Sequence, residues 1–152
     1  MKAVFLVLYM AILIGCSKKD DTGEQFVFDL AVNLSIKNEA GDDMLDPNNP
    51  NSYKLNDIKT YHLIDGEEVW AIADNVISQN NEGAFIFTTF VNYEGNYEYP
   101  ITYIDWDETD RDTIKAEIYR TERQIRVIKI WYNEELKWDV ENGGGPEFTI
   151  IK

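Results

Sequence analysis

Cysteine and histidine each occur once in this 152-residue chain, at Cys16 and His62, and those two counts exclude much familiar chemistry. A single cysteine permits no intramolecular disulfide, and one histidine beside one cysteine builds no zinc cluster of ordinary spacing. Basic residues are scarce too: 14 Lys and Arg stand against 28 Asp and Glu, for a net charge of −14. A surface so acidic repels phosphate backbones, which argues against a nucleic-acid partner. The longest apolar run, residues 3–14, has twelve residues and is too short to cross about 30 Å of hydrocarbon as a helix. What is present is 44% apolar and 13% aromatic, the composition of an ordinary globular domain.

The apolar run lies at the N-terminus behind Lys2 and has the proportions of a signal-peptide core. It closes on Leu13-Ile14-Gly15-Cys16, which resembles the bacterial lipobox, and a polar Ser17-Lys18-Lys19-Asp20-Asp21 follows at once. The competing reading is a short N-terminal helix with a buried cysteine. The resemblance implies that residues 1–15 are removed and that Cys16 is acylated as the mature N-terminus. Lys2 is the only basic residue lost with the leader, so the mature chain carries −15. Ser17 is not the Asp associated with inner-membrane retention, and Lys19-Asp20-Asp21 resembles the export signal of surface lipoproteins in Bacteroidetes. The implied location is the outer membrane, lipid-anchored, on the cell surface. Residues 16–25 then form a lipidated, flexible tether to a domain over residues 26–152.

That domain reads as all-β. Phe26, Phe28, Leu30, Val32, Leu34 and Ile36 recur at every second position, with Asp29, Asn33, Ser35 and Lys37 among the residues between them, the period of a half-buried strand. Residues 38–53, with Gly41, Pro47 and Pro50 among Asp and Asn, carry loop chemistry. Asp65-Gly66 predicts a type I′ hairpin between residues 58–64 and 69–73, pairing Tyr61 with Trp70 and turning His62 to the opposite face. Residues 84–91 and 97–104 make two more strands, the second held to an edge or bulge by Pro100. Residues 113–121, 124–132 and 135–140 form a run of hairpins, the last turning at Asn133-Glu134 and setting Trp131 opposite Leu136 and Lys129 opposite Trp138. On that register Ile125, Val127, Trp131, Leu136, Trp138 and Val140 share a face. Residues 148–151 supply a last strand after Gly143-Gly144-Gly145-Pro146. The expectation is an antiparallel β-sandwich, Ig-like or transthyretin-like, of about eight or nine strands.

Four segments, Gly41-Asp42-Asp43-Met44-Leu45-Asp46-Pro47, Asp112-Thr113-Ile114-Lys115-Ala116-Glu117, Ile130-Trp131-Tyr132-Asn133-Glu134 and Phe148-Thr149-Ile150-Ile151-Lys152, together resemble uncharacterised outer-membrane lipoproteins of Bacteroidetes. The resemblance implies a cell-envelope β-sandwich and carries no catalytic set or cofactor with it.

Candidate chemistry is sparse. Asp105, Asp107, Asp110 and Asp112 could ligate calcium, but they lack the glycine of a tight calcium loop and enclose Arg111, which favours a solvated acidic loop and no metal. His62 has no nucleophile at a recognisable elbow, so a partly buried structural role is expected of it. Acids abound, which leaves a small carboxylate-dependent hydrolase as a lower alternative. The main expectation is a non-catalytic role in binding or assembly, with an envelope protein or a glycan as partner. For a glycan the sequence nominates Trp106 with Tyr103 as a stacking platform, and Asp105 and Asp107 as acceptors for sugar hydroxyls. That nomination requires an exposed Trp106, and the charged neighbours of Trp106 argue for exposure. The alternative is that Trp106 folds inward and caps the end of the sandwich. Trp70, Trp131 and Trp138 are assigned by parity to core or cross-strand positions.

Overall fold

A computed structural model of the chain describes residues 25–71 and 75–152. Cys16, the leader and nearly all of the tether lie outside the described residues, as does the end of the expected strand over residues 69–73. The described residues are all-β, with eleven strands in two sheets. The seven-stranded sheet runs β1(Val27–Asp29), β9(Gln124–Tyr132), β8(Arg111–Arg120), β7(Ile101–Asp105), β3(Lys59–Ile64), β4(Glu67–Trp70), and β10(Glu135–Asp139) also pairs with β9. The four-stranded sheet runs β11(Glu147–Ile151), β2(Ala31–Lys37), β6(Phe85–Phe90), β5(Val76–Gln79). Val32, Leu34, Ile36 and Phe87 from the smaller sheet, with Leu30 just before it, share one buried core with Ile104, Ile114, Ala116, Val127 and Ile130 from the larger, a sandwich-like arrangement.

Two expectations about the sheets are corrected. The sheets are mixed, not purely antiparallel, because β1 runs parallel to β9 and β11 parallel to β2. The six-residue alternation from Phe26 to Ile36 is divided between the sheets at Leu30, the point where the chain crosses from one to the other. Leu30 to Ile36 stay in the core, while Phe26 and Phe28 on the far side of the crossing are about half exposed. The count exceeds eight or nine partly through that division and partly through β5, whose four residues are too short to show a period.

The hairpins carry their own signatures. Asp65 and Gly66 both have positive φ, as a type I′ turn requires, and Tyr61 pairs with Trp70 as expected. Pro100 does not hold β7 to an edge. It sits just before the first residue of that strand, where no ladder N–H is lost, and β7 lies between β8 and β3.

The face shared by the late strands is also corrected. Glu117 pairs with Lys129 and Ile118 with Val127, so Ile128 is an extra residue in β9. A bulge of this kind reverses the parity beyond it. Ile125 and Val127 point into the core before the bulge, Ile130 and Tyr132 after it, and Trp131 is turned to the outer face. A second irregularity at Lys137 leaves Leu136 opposite Trp131 but brings Trp138 opposite Ile130, not Lys129, and buries it.

The Asn133-Glu134 turn has both residues in the left-handed region, with φ of 47° and 69°. Glutamate has a Cβ that resists this conformation, whereas glycine adopts it freely. Replacing Glu134 with Gly is expected to stabilise the domain by about 1 kcal/mol and raise the melting temperature by about 3 °C. Thermal unfolding followed by circular dichroism checks this; a melting temperature that stays level or falls would contradict it.

Candidate functional site

The sheet's alternation decides where each nominated residue goes. Along β7 and into the following turn, Thr102, Ile104 and Trp106 face inward, while Tyr103 and Asp105 face outward. Trp106 is fully buried, which removes it as a stacking platform. The flanking acids are no obstacle to its burial, because at a period of two Asp105 and Asp107 point away from the core while the ring continues the inward row. Trp106 packs against Phe87 and Tyr53, with ring centroids 5.1 and 5.4 Å away. Its indole N–H donates to Asp112 Oδ2 at 2.7 Å, so the polar end of the ring is satisfied inside.

Asp112 is itself buried, drawn inward by the same parity in β8. It accepts hydrogen bonds from Trp106, from the Tyr132 hydroxyl and from Asn133 Nδ2, and it pairs with the Lys152 ammonium. Burial works to raise the Asp112 carboxyl, but the bonds from Lys152, Tyr132 and Asn133 outweigh it and hold the group below the usual carboxylate range. Asp110 accepts from Tyr53 at 2.9 Å and pairs with Lys152 at 2.5 Å. Asp107 accepts from the Thr109 and Asp110 backbone N–H groups and from the Thr109 hydroxyl, and those bonds lower its carboxyl. Asp105 is paired with Arg111. Asp105 and Asp107 therefore turn to separate partners, while Asp110 and Asp112 meet on one group, the Lys152 ammonium. Among the described residues no group of three or more His, Cys, Asp or Glu is placed to hold a metal ion.

The nominated binding residues are thus not brought together. Trp106 lies on the core side of the large sheet and Tyr103 on the other. Asp105 and Asp107 line a pocket with Asn56, Asp57, Lys59 and Glu108, a polar hollow without an aromatic ring. His62 is buried, its Nε2 3.4 Å from the Phe90 carbonyl oxygen and its ring against Tyr93, in keeping with a structural role.

The outer face of the large sheet is where rings outside the core collect, Trp70 and Tyr99 exposed and Tyr61, Tyr103 and Trp131 half-buried. Trp70 pairs with Tyr61 and Tyr61 with Tyr103, which sets three aromatic residues side by side across β4, β3 and β7. Trp70 is 57% exposed. Arg111 lies over the two tyrosines, its guanidinium carbon 5.1 Å from the Tyr103 ring centre and 5.7 Å from that of Tyr61. Both ends of that guanidinium are held, by Asp105 at 2.5 and 3.0 Å and by Glu68 at 2.6 and 3.1 Å. Asp105 first, and Glu68 after it, push the Arg111 pKa upward. A neighbouring row joins Ile101, Lys115, Trp131 and Leu136 across β7, β8, β9 and β10. There the Lys115 ammonium sits 5.0 Å from the Trp131 ring centre, and Tyr99 meets Trp131 edge-on at 5.8 Å.

The cross-strand pairing of Trp70 with Tyr61 was legible, but the place of Trp70 and Trp131 on the outer face, the first exposed and the second half-buried, was not foreseen. For Trp70 a signal existed: it ends a four-residue strand that begins with Glu67-Glu68, and the expected partner Tyr61 is on the face opposite His62. For Trp131 none did, because the bulge at Ile128 leaves no mark in the alternation. Comparison with family models, with curated proteins and with solved structures finds no match to this chain.

Burial of Trp106 makes a quantitative expectation. Trp106→Ala should cost about 3–5 kcal/mol, the range for emptying a large aromatic site. Trp106→Phe, which keeps a ring but removes one donor from Asp112, should cost less. Urea unfolding of both variants tests the pair, and an unchanged midpoint for Trp106→Ala would contradict a core role.

Proposed function

We propose that this chain is a lipid-anchored protein of the bacterial cell envelope with a non-catalytic binding role. We place the binding surface on the outer face of the large sheet and infer a glycan as its ligand. The observation that carries the reading is the two adjoining rows on that face, with Trp70 exposed at one end and Trp131 beside Lys115 in the other. Aromatic faces stack on the C–H faces of sugar rings, and the charged groups among them can bond to hydroxyls. On a face meant for burial against another protein, the centre is ordinarily depleted of charge. Here Arg111, Asp105, Glu68 and Lys115 stand among the rings, which favours a hydroxyl-rich ligand.

Hydrolysis is the weaker reading. A general acid of a glycosidase needs a carboxyl held above its ordinary range, whereas Asp107 and Asp112 are both held below it by their hydrogen bonds. The anchor rests on the sequence around Cys16, and Ser17 with Lys19-Asp20-Asp21 is what supports reading it as an outer-membrane anchor with the domain outside.

Two experiments test the reading. Cys16→Ala should leave a folded domain and move it from the membrane fraction to the soluble one; retention in membranes would refute the lipid anchor. Affinity electrophoresis through soluble polysaccharides should show retardation of the wild-type chain that Trp70→Ala weakens at least several-fold, with little change in melting temperature, because Trp70 is on an exposed edge strand. Failure of every polysaccharide to retard the chain, or retention indifferent to both Trp70→Ala and Trp131→Ala, would overturn the glycan assignment. Capture of a single envelope protein through the same face would replace it with an assembly role.

A further inference from the structure

The C-terminal Lys152 is tucked into the end of the sandwich. Its backbone N–H donates to the Lys37 carbonyl oxygen at 2.8 Å, extending the pairing of β11 with β2, and its side chain is only 12% exposed. The ammonium lies 5.6 Å from the Trp106 ring centre, in contact with Asp112 Oδ2 and 2.5 Å from Asp110 Oδ1. Each of the three charged groups comes from a different place in the fold: Asp110 from the turn before β8, Asp112 from β8 and Lys152 from the end of β11. One amine is thereby fixed against one buried carboxyl group, with a second carboxylate touching the same nitrogen.

The geometry points to an intramolecular amide, an isopeptide bond between Lys152 Nζ and the Asp112 side-chain carboxyl carbon. The inference does not depend on what the outer face binds. Three features carry it. The Lys152 amine and the Asp112 carboxyl are held together by tertiary structure, and well-oriented groups react with effective molarities on the order of 10⁵–10⁸ M, enough to offset the ordinary preference of amine and acid for staying apart in water. Asp112 Oδ2 already receives the Trp106 N–H and the Tyr132 hydroxyl, two donors placed where a tetrahedral intermediate would carry its negative charge. And the product replaces a buried ion pair, with the desolvation that such a pair entails, by a neutral amide.

The step balances without any further reagent. Lys152 gives one ammonium proton through Asp110 to Asp112 Oδ1, and the neutral amine attacks the carbon of the carboxylic acid so formed. The carbon–nitrogen bond forms as charge moves onto Oδ2. The carbon–Oδ1 bond then breaks, and both protons lost by the nitrogen leave on that oxygen as water, with Asp110 as their relay. Asp110 remains a carboxylate, accepting from Tyr53.

Peptide mapping of the purified full-length chain tests this. Tryptic digestion should yield residues 112–115 joined to residues 138–152 as a branched species, lighter than the two peptides together by one water. Lys152→Arg should abolish the branch. Asp112→Asn should still form it, with loss of ammonia in place of water, an outcome that a simple ion pair cannot give. Asp110→Asn should lower the cross-linked fraction at least several-fold. Recovery of the two wild-type peptides only as separate species would overturn the bond, whatever the variants do and whether or not they fold. A cross-linked fraction unchanged in Asp110→Asn would overturn the assigned relay.

Discussion

Asp112 is the residue on which the end of the sandwich depends. Its side chain is a charge in a place that would otherwise be apolar, and it survives there because Trp106, Tyr132, Asn133 and Lys152 all address it. Those four partners belong to the turn after β7, to the end of β9, to the β9–β10 turn and to the residue that follows β11. A buried carboxylate that loses one partner is costly, so its partners must be in place together. That requirement ties the small sheet, through Lys152, to the large one, through Tyr132 and Trp106. Apolar packing fills the space between the sheets; the Asp112 cluster fixes how they close at this end.

The sequence was most legible where one residue pair dictates a backbone conformation. Asp65-Gly66 forces both residues to positive φ, and the register of β3 on β4 follows from the turn alone, down to Tyr61 opposite Trp70. The alternation from Leu30 to Ile36 was legible for the same kind of reason, since a period of two admits one inward face. Legibility ended where a local irregularity resets that period. Ile128 is a β-branched residue among others in a β-branched strand, and nothing in its chemistry marks it as the extra residue that turns Trp131 outward. The parallel pairings of β1 and β11 were hidden for a different reason: they join segments far apart in the chain, and neither partner carries a turn that would announce the other.

Trp106 shows two sequence rules in conflict. Flanking charges suggest exposure, while parity with Thr102 and Ile104 suggests burial. Parity prevails because neighbours in an extended chain point to opposite sides, so the charges beside a residue describe the other face of the sheet and not its own. Asp105 satisfies its charge with Arg111 on the outer surface at no expense to Trp106 within. The same reasoning recovers Asp112, whose inward parity with Ile114 and Ala116 marks it as a buried acid in need of donors.

The outer face then acquires its character from what the inner face excludes. Strands β3, β7, β8 and β9 must present branched and small residues to the core, and their alternate positions are free to carry rings and charges. Sheet geometry puts those positions about 5 Å apart from strand to strand, so aromatic residues from separate hairpins become neighbours without a loop to gather them. Arg111 lies on the two tyrosines because Asp105 and Glu68 anchor it from both sides, and each exposed pair alone contributes at most about 1 kcal/mol. Such weak restraints fit the proposed binding role: the guanidinium covers Tyr61 and Tyr103 and could be shifted by a partner offering its own hydrogen bonds. Trp70, at the edge and beyond the reach of that cover, is left as the ring a ligand would meet first.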